Sequence, residues 1–242
     1  MNERQPFDAA AVERMAADEE LTRVSREFFL KTCEHRYSYN FSWLGRPIIQ
    51  YPQDLVALQE IVWRVRPRVI VETGIAHGGS TIFFASMLEL TGGDGRVVAV
   101  DVDIRAHNRA AIEAHPLHHR IEMIEGSSID HAVADRVREL ARGKGAVMVV
   151  LDSNHTHDHV LRELELYSPL VTRDSYLVVM DTVVEYMPED AFADRPWGKG
   201  NSPLTAVREF LQRTDRFVVD KELEDKLLVT VAPSGYLRCV KD

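Results

Sequence analysis

The sequence predicts an α/β fold in which a parallel sheet carries helices on both faces. Three observations predict it. From Arg68 onward, short apolar runs alternate with amphipathic stretches of helical period. The central runs are rich in β-branched residues, as in strands buried on both faces. The chain has 242 residues, long enough for one large domain whose core needs no disulfide or structural metal.

Taken in order, residues 8–33 read as an amphipathic helix. Residues 34–53, EHRYSYNFSWLGRPIIQYPQ, are aromatic and irregular, an arm that packs on the core or covers a site or subunit contact. Asp54 reads as the N-cap of a helix, DLVALQEIVWRVR, stopped by Pro67. RVIVE (68–72) is the first strand, followed by a glycine-rich turn and the helix STIFFASMLEL. RVVAVD (96–101), RIEMIEG (120–126), AVMVVLD (146–152) and SYLVVMD (175–181) are the next four strands. The helices IRAHNRAAIEAH, DHAVADRVRELAR and HDHVLRELELYSPLV connect them. After a loop, PLTAVREFLQR is a helix, and FVVD, KLLVTVAP and YLRCV read as closing strands in a hairpin-like arrangement. The division expected is an arm, 1–53, and a ligand-binding domain, 54–242.

Composition excludes several classes. Twenty-nine Lys and Arg against 38 Asp and Glu give a net charge of −9 with no basic run, against a nucleic-acid binder. No stretch approaches the roughly 18 apolar residues of a membrane span. The first 30 residues are charged and lack the apolar segment of a signal peptide. Cys33 and Cys239, far apart, read as thiols. A cytoplasmic protein is expected, with the aromatic arm hinting at a homo-oligomer.

In parallel sheets ligands sit beyond the carboxyl ends of the strands, at the point where strand order reverses. The first such end reads V-E-T-G-I-A-H-G-G-S-T. Gly74 allows a sharp turn, Gly78 and Gly79 allow close approach of a ligand, and Ser80 or Thr81 is placed to cap the next helix. His77 sits in the turn and faces the same ligand. The spacing is not G-x-G-x-x-G, since Ala76 replaces the second Gly, and no P-loop Lys follows. Glu72 repels a pyrophosphate but suits an ammonium group. A ligand with an amino acid and a nucleoside, such as S-adenosylmethionine, fits best. At the second strand end, Asp101 is the candidate for ribose hydroxyls, with Asp103 behind it. At the third, Gly126 and Ser127 are candidates for an adenine pocket.

The fourth and fifth strands end in L-D-S-N-H-T-H-D-H and V-V-M-D-T. Asp152 and Asp181 should converge, and two carboxylates in one crevice call for a cation between them, most simply Mg²⁺. Asp152 also borders the nucleoside site. His155 is placed as general base toward a substrate hydroxyl, with His157, Asp158 and His159 nearby. The loop 182–203 is long for a compact domain and reads as a lid or substrate loop, with Glu185, Tyr186, Trp197 and Asn201 as contacts.

Together E-T-G-x-x-x-G-G-S, D-x-D-I-R-x-H-N-R, L-D-S-N-H-T-H-x-H-V-L and Y-L-V-V-x-D-T resemble the cephalosporin hydroxylase / rhamnosyl O-methyltransferase family across residues 45–235. The resemblance implies a Rossmann-like class I S-adenosylmethionine-dependent methyltransferase fold. Its seven strands run in the order 3-2-1-4-5-7-6, the last antiparallel. It carries Glu72 and Gly74 onto the methionine-end motif, Asp101 onto the ribose position, and Asp152 and Asp181 onto the metal positions. Relatives of the cephalosporin type have Glu-Asp where this chain has Met180-Asp181. One metal ligand is therefore missing or replaced by Thr182, Glu185 or water.

The function expected is Mg²⁺-assisted O-methylation of a hydroxyl on a sugar, polysaccharide or glycosylated natural product. His155, or a metal-bound carboxylate such as Asp152, takes the proton. The rivals are an iron-dependent oxygenase using His155, His157 and Asp152, and a non-catalytic nucleoside-binding partner subunit. An NAD enzyme is disfavoured by the glycine spacing.

Overall fold

The computed structural model describes residues 8–242; the first seven residues of the expected arm lie outside the described residues. The chain begins with two helices, α1 (Ala9–Ala17) and α2 (Glu19–Glu34), rather than one. Asp18 makes the break: its backbone is extended and its carboxylate accepts the Leu21 N–H as N-cap of α2. The arm continues into a small antiparallel hairpin, β1 (Phe41–Trp43) and β2 (Arg46–Ile48).

The helix expected from Asp54 is α3 (Pro52–Val65), and it starts earlier. Pro52 occupies its first turn, where a missing N–H costs nothing. Asp54 is not its cap. The residue is buried, and its carboxylate accepts from the Thr230 hydroxyl, the Val231 N–H and the Tyr236 hydroxyl (2.5, 3.0 and 2.7 Å). That bond set explains a second difference. KLLVTVAP, expected as a strand, is partly helix and otherwise irregular, because its Thr230 and Val231 are drawn onto Asp54 instead of onto a neighbouring strand.

The remaining elements alternate as the pattern predicts. They are β3 (Val69–Thr73), α4 (Gly79–Thr91), β4 (Arg96–Asp101), α5 (Ala106–Glu113), β5 (Ile121–Glu125), α6 (His131–Ala141), β6 (Val147–Leu151), α7 (His157–Tyr167) and β7 (Tyr176–Val179). Then follow α8 (Pro203–Arg213), β8 (Phe217–Val219), α9 (Lys221–Leu227) and β9 (Tyr236–Cys239). The main sheet runs β5-β4-β3-β6-β7-β9-β8. Counted from its first strand, that is 3-2-1-4-5-7-6, and β9 is antiparallel to both neighbours.

Alternate residues of the central strands feed two cores. Ile70, Met148 and Val150 pack with α3 and α4 on one face. Val69, Val71, Val147 and Val149 pack with α6, α7 and α8 on the other. Strand β3 is buried at all five positions and β6 likewise, which accounts for the apolar runs VIV of β3 and VMVVL of β6. Strand order reverses between β3 and β6. Their carboxyl ends are in register, Thr73 opposite Leu151, and the Asp152 N–H donates to the Thr73 carbonyl (2.9 Å). Among the described residues no helix is long and apolar enough to cross a membrane.

Candidate active site

The glycine-rich turn leaves β3 and enters α4 at this switch point. Gly74 has φ +93°, and a Cβ there would stand 2.1 Å from the Asp152 carbonyl oxygen. Only glycine lets the two strand ends approach this closely. Gly79 meets the arm in the same way: a Cβ would stand 2.2 Å from the Pro47 carbonyl of β2.

The turn's polar backbone is held by side chains from three other elements. The Asp101 carboxylate, at the end of β4, accepts the N–H groups of Ile75 (2.7 Å), Ala76 (3.2 Å) and Asp103 (3.1 Å). Buried Asn108 of α5 donates to the Ala76 carbonyl (2.8 Å). Arg46 of β2 donates twice to the His77 carbonyl (3.0 and 2.6 Å) and once to Asn108 Oδ1. Arg46 and Asn108 were not singled out from sequence. Asn108 lies inside the D-x-D-I-R-x-H-N-R motif, which carried a signal; Arg46 lies 28 residues before Gly74 and carried none.

Glu72 lies beneath the turn, 1% exposed, and its carboxylate accepts the Thr81 hydroxyl (2.5 Å). Burial pushes this carboxyl up to about 7, against the lowering pull of the Ser80 and Thr81 hydroxyls. Those two residues serve Glu72 and do not cap α4, whose N-cap is Gly78. Gly126 donates its N–H to the Asp101 carbonyl, so the ends of β4 and β5 are tied, with Ser127 half-buried beside them. Asp103 is exposed at the rim.

Beyond β6 and β7, Asp152, His155 and Asp181 each turn a ligand atom toward the others, all within 4.8 Å of one another. His155 Nε2 lies 3.4 Å from Asp181 Oδ2, and its ring stands edge-on to Trp197 (centroids 4.8 Å, 86°). Asp181 is in the left-handed region, φ +55°, a conformation that aspartate tolerates and that recurs at functional sites. Burial, then the charges of Asp181 and Glu72, push the Asp152 carboxyl well above the usual carboxylate range. Two carboxylates and an imidazole at this spacing fit a hard divalent cation, whose charge would relieve that repulsion. Gln50, at the end of the arm, donates its Nε2 to Asp152 Oδ2 (3.1 Å). A cavity of about 700 Å³ opens from the cluster, walled by Phe29, Tyr51, Gln50, His155, Asp181 and Trp197.

Several sequence expectations change here. His157 is turned away: its Nδ1 is 2.8 Å from the Thr205 hydroxyl and its Nε2 is 3.2 Å from Glu209, across the α7–α8 contact. The His155–His157–Asp152 iron triad is therefore not assembled. His159 Nε2 is engaged with the hydroxyls of Ser128 and Ser153. The Thr182 hydroxyl donates to the Pro233 carbonyl (2.6 Å), so it is spent on the backbone rather than turned to the cluster. Of the four loop contacts, Trp197 alone reaches the cavity. Glu185 accepts from the Gly200 N–H and the Ser202 hydroxyl, Asn201 joins the His157 N–H to the Pro196 carbonyl, and the Tyr186 hydroxyl meets Arg208. These three fold the loop.

The sheet order and the turn at its switch point define the class I methyltransferase fold. The particular family follows from comparison. The rhamnosyl O-methyltransferase/CmcI family matches residues 35–240, and the chain belongs to it. A rhamnosyl O-methyltransferase of Mycobacterium tuberculosis (strain ATCC 25618 / H37Rv) is 32% identical over 212 residues, 84% of this chain and 82% of that protein. One from Mycobacterium leprae (strain TN) is 32% identical over 155 residues, 61% of this chain and 66% of that protein. A structure of CmcI with Mg and SAM superposes with a TM-score of 0.60 at 19% identity, covering 84% of this chain and 78% of that one. A CmcI structure with SAH gives 0.59 at 20% identity, covering 83% of each chain.

Proposed function

We propose that this protein is an S-adenosylmethionine-dependent O-methyltransferase acting on a hydroxyl of a sugar, with Mg²⁺ assistance. One observation carries the reading: Gly74 brings the glycine turn, with buried Glu72 beneath it, into contact with the Asp152 backbone beside the Asp152–His155–Asp181 cluster. A methyl-donor site and a hydroxyl-activating site are thus fused. Family membership and the named activity of the M. tuberculosis relative support the sugar acceptor.

The turn and Glu72 hold the methionine end of the donor, the ammonium group keeping Glu72 ionised. Asp101 and Asp103 face its ribose, and Gly126 and Ser127 its adenine; His77 and Gly78 border it. Asp152 and Asp181 would hold the cation, which when bound acidifies and orients the hydroxyl. His155 takes the proton, steadied by Asp181 and by the edge of Trp197. Proximity would do the rest: with donor and acceptor bound, the short gap between the two sites would let the hydroxyl oxygen attack the sulfonium methyl group as S-adenosylhomocysteine leaves. Two unpaired thiols accord with a cytoplasmic setting. Exposed Val24, Phe28 and Tyr39 on the arm supply apolar surface for a homo-oligomer contact.

Calorimetric titration with S-adenosylhomocysteine, followed by transfer of a labelled methyl group to rhamnosides with Mg²⁺ or EDTA, tests the reading. Micromolar binding and EDTA-sensitive transfer are expected. No S-adenosylhomocysteine binding would overturn it.

A further inference from the structure

Gln50 closes the wall of the cavity beside the cluster and is 6% exposed. Its Nε2 donates to Asp152 Oδ2 (3.1 Å), the orientation of the amide that an ionised, cation-bound Asp152 requires. The other end, Oε1, is buried and has no hydrogen-bond partner. An unmet buried acceptor is costly, and at a ligand site it marks a place where something binds.

The cluster has a matching deficiency. Met180, the residue after strand β7, is a buried soft thioether, at the position where the resemblance implies a carboxylate. A hard cation needs oxygen there. Thr182 and Glu185, the next oxygen-bearing side chains after Asp181, are already bonded to Pro233 and to Gly200 and Ser202. Gln50, delivered by the arm to the wall of the same cavity, carries the unspent oxygen.

We propose that the Gln50 amide oxygen is a direct ligand of the divalent cation, taking the place of the carboxylate that the resemblance implies at position 180. This rests on the metal-assisted reading above. The amide then works at both ends: its nitrogen holds Asp152 and its oxygen meets the metal. A neutral ligand in place of a carboxylate lowers the charge of the site and loosens cation binding, since ligand charge count tunes affinity.

The full chain with Mn²⁺ as probe tests this. Loss of the free-ion electron paramagnetic resonance signal gives the affinity, and water proton relaxation counts the waters on the bound ion. Gln50→Leu should weaken binding about tenfold or more and add one water to the bound ion. Gln50→Glu should bind more tightly than wild type. Both should keep S-adenosylhomocysteine affinity within about twofold, because the hydrogen bond of Gln50 goes to Asp152 and not to the glycine turn. An unchanged water count in Gln50→Leu, or weaker binding in Gln50→Glu, shows that Gln50 only positions Asp152 and overturns the proposal. Should Gln50→Leu fail to fold, the affinity of Gln50→Glu decides. A failure of the metal reading itself looks different: wild type binds no Mn²⁺, or Asp152→Ala binds it as wild type does, and either result removes the proposal with it.

Discussion

The turn from Glu72 to Thr81 and the cluster around Asp152 share one crevice, yet their polar groups are in opposite conditions. In the turn, Ile75 and Ala76 N–H are met by Asp101, the Ala76 carbonyl by Asn108 and the His77 carbonyl by Arg46. In the cluster, carboxylates crowd one another, Asp181 sits in the left-handed region and Gln50 Oε1 has no partner. One half is finished before any ligand arrives. The other keeps repulsion and an unmet acceptor that a cation and a hydroxyl would satisfy. Under the proposed function, the donor half is therefore expected to bind alone, whereas the reacting half depends on what binds.

The sharpest way to separate the halves is Asp152→Ala. It should lower methyl transfer by about 1000-fold or more, because the hydroxyl loses its activating charge, while S-adenosylhomocysteine binding by calorimetry stays within about tenfold. A parallel loss of both would show that the halves are one unit. Gly74→Ala should do the reverse and damage both. With φ +93° and a Cβ 2.1 Å from the Asp152 carbonyl, it should cost about 3 kcal/mol in denaturant unfolding and weaken donor and Mn²⁺ together.

Arg46→Ala is smaller and one-sided. Loss of its bonds to His77 should weaken S-adenosylhomocysteine about tenfold and leave Mn²⁺ affinity unchanged. The smallest effect is on stability against pH. Glu72 holds its proton more tightly folded (about 7) than its ordinary value of 4.5, and Asp54 likewise (about 6 against 3.8). The folded state thus carries extra protons between roughly pH 4 and pH 7, so stability falls as pH rises through that window and levels off above it. Glu72→Gln should remove part of the fall, gaining about 1 kcal/mol at pH 8 and nothing near pH 4, at the expense of donor affinity. Thermal melts from pH 4 to 8 read the difference.

Much of the fold was legible. The apolar runs of β3 and β6 announced strands buried on both faces, and the carboxylates after β6 and β7 announced a shared crevice. KLLVTVAP was not legible as it stands, because its composition suits a strand while its conformation answers to Asp54, 176 residues away from Thr230. The break at Asp18 was readable only as a polar residue in a helical stretch. Among site residues, His155 and His157 look alike in sequence. Thr156 between them, extended as the N-cap of α7, sends one to Asp181 and the other to Glu209. Glu185 and Asn201 had the composition of substrate contacts but close their own loop.

The sequence by itself determined the strand–helix alternation, the glycine turn with Glu72, and the convergence of Asp152 and Asp181. These depend on periodicity and on positions at strand ends, both local properties of the chain. Only the tertiary structure decided that the N-terminal arm belongs to the site. Arg46 clamps the turn and Gln50 faces Asp152 because Gly79 lets the β1–β2 hairpin settle on the start of α4. Contacts across 30 to 100 residues of chain leave no periodic trace, and packing alone chooses which distant side chain meets which strand end.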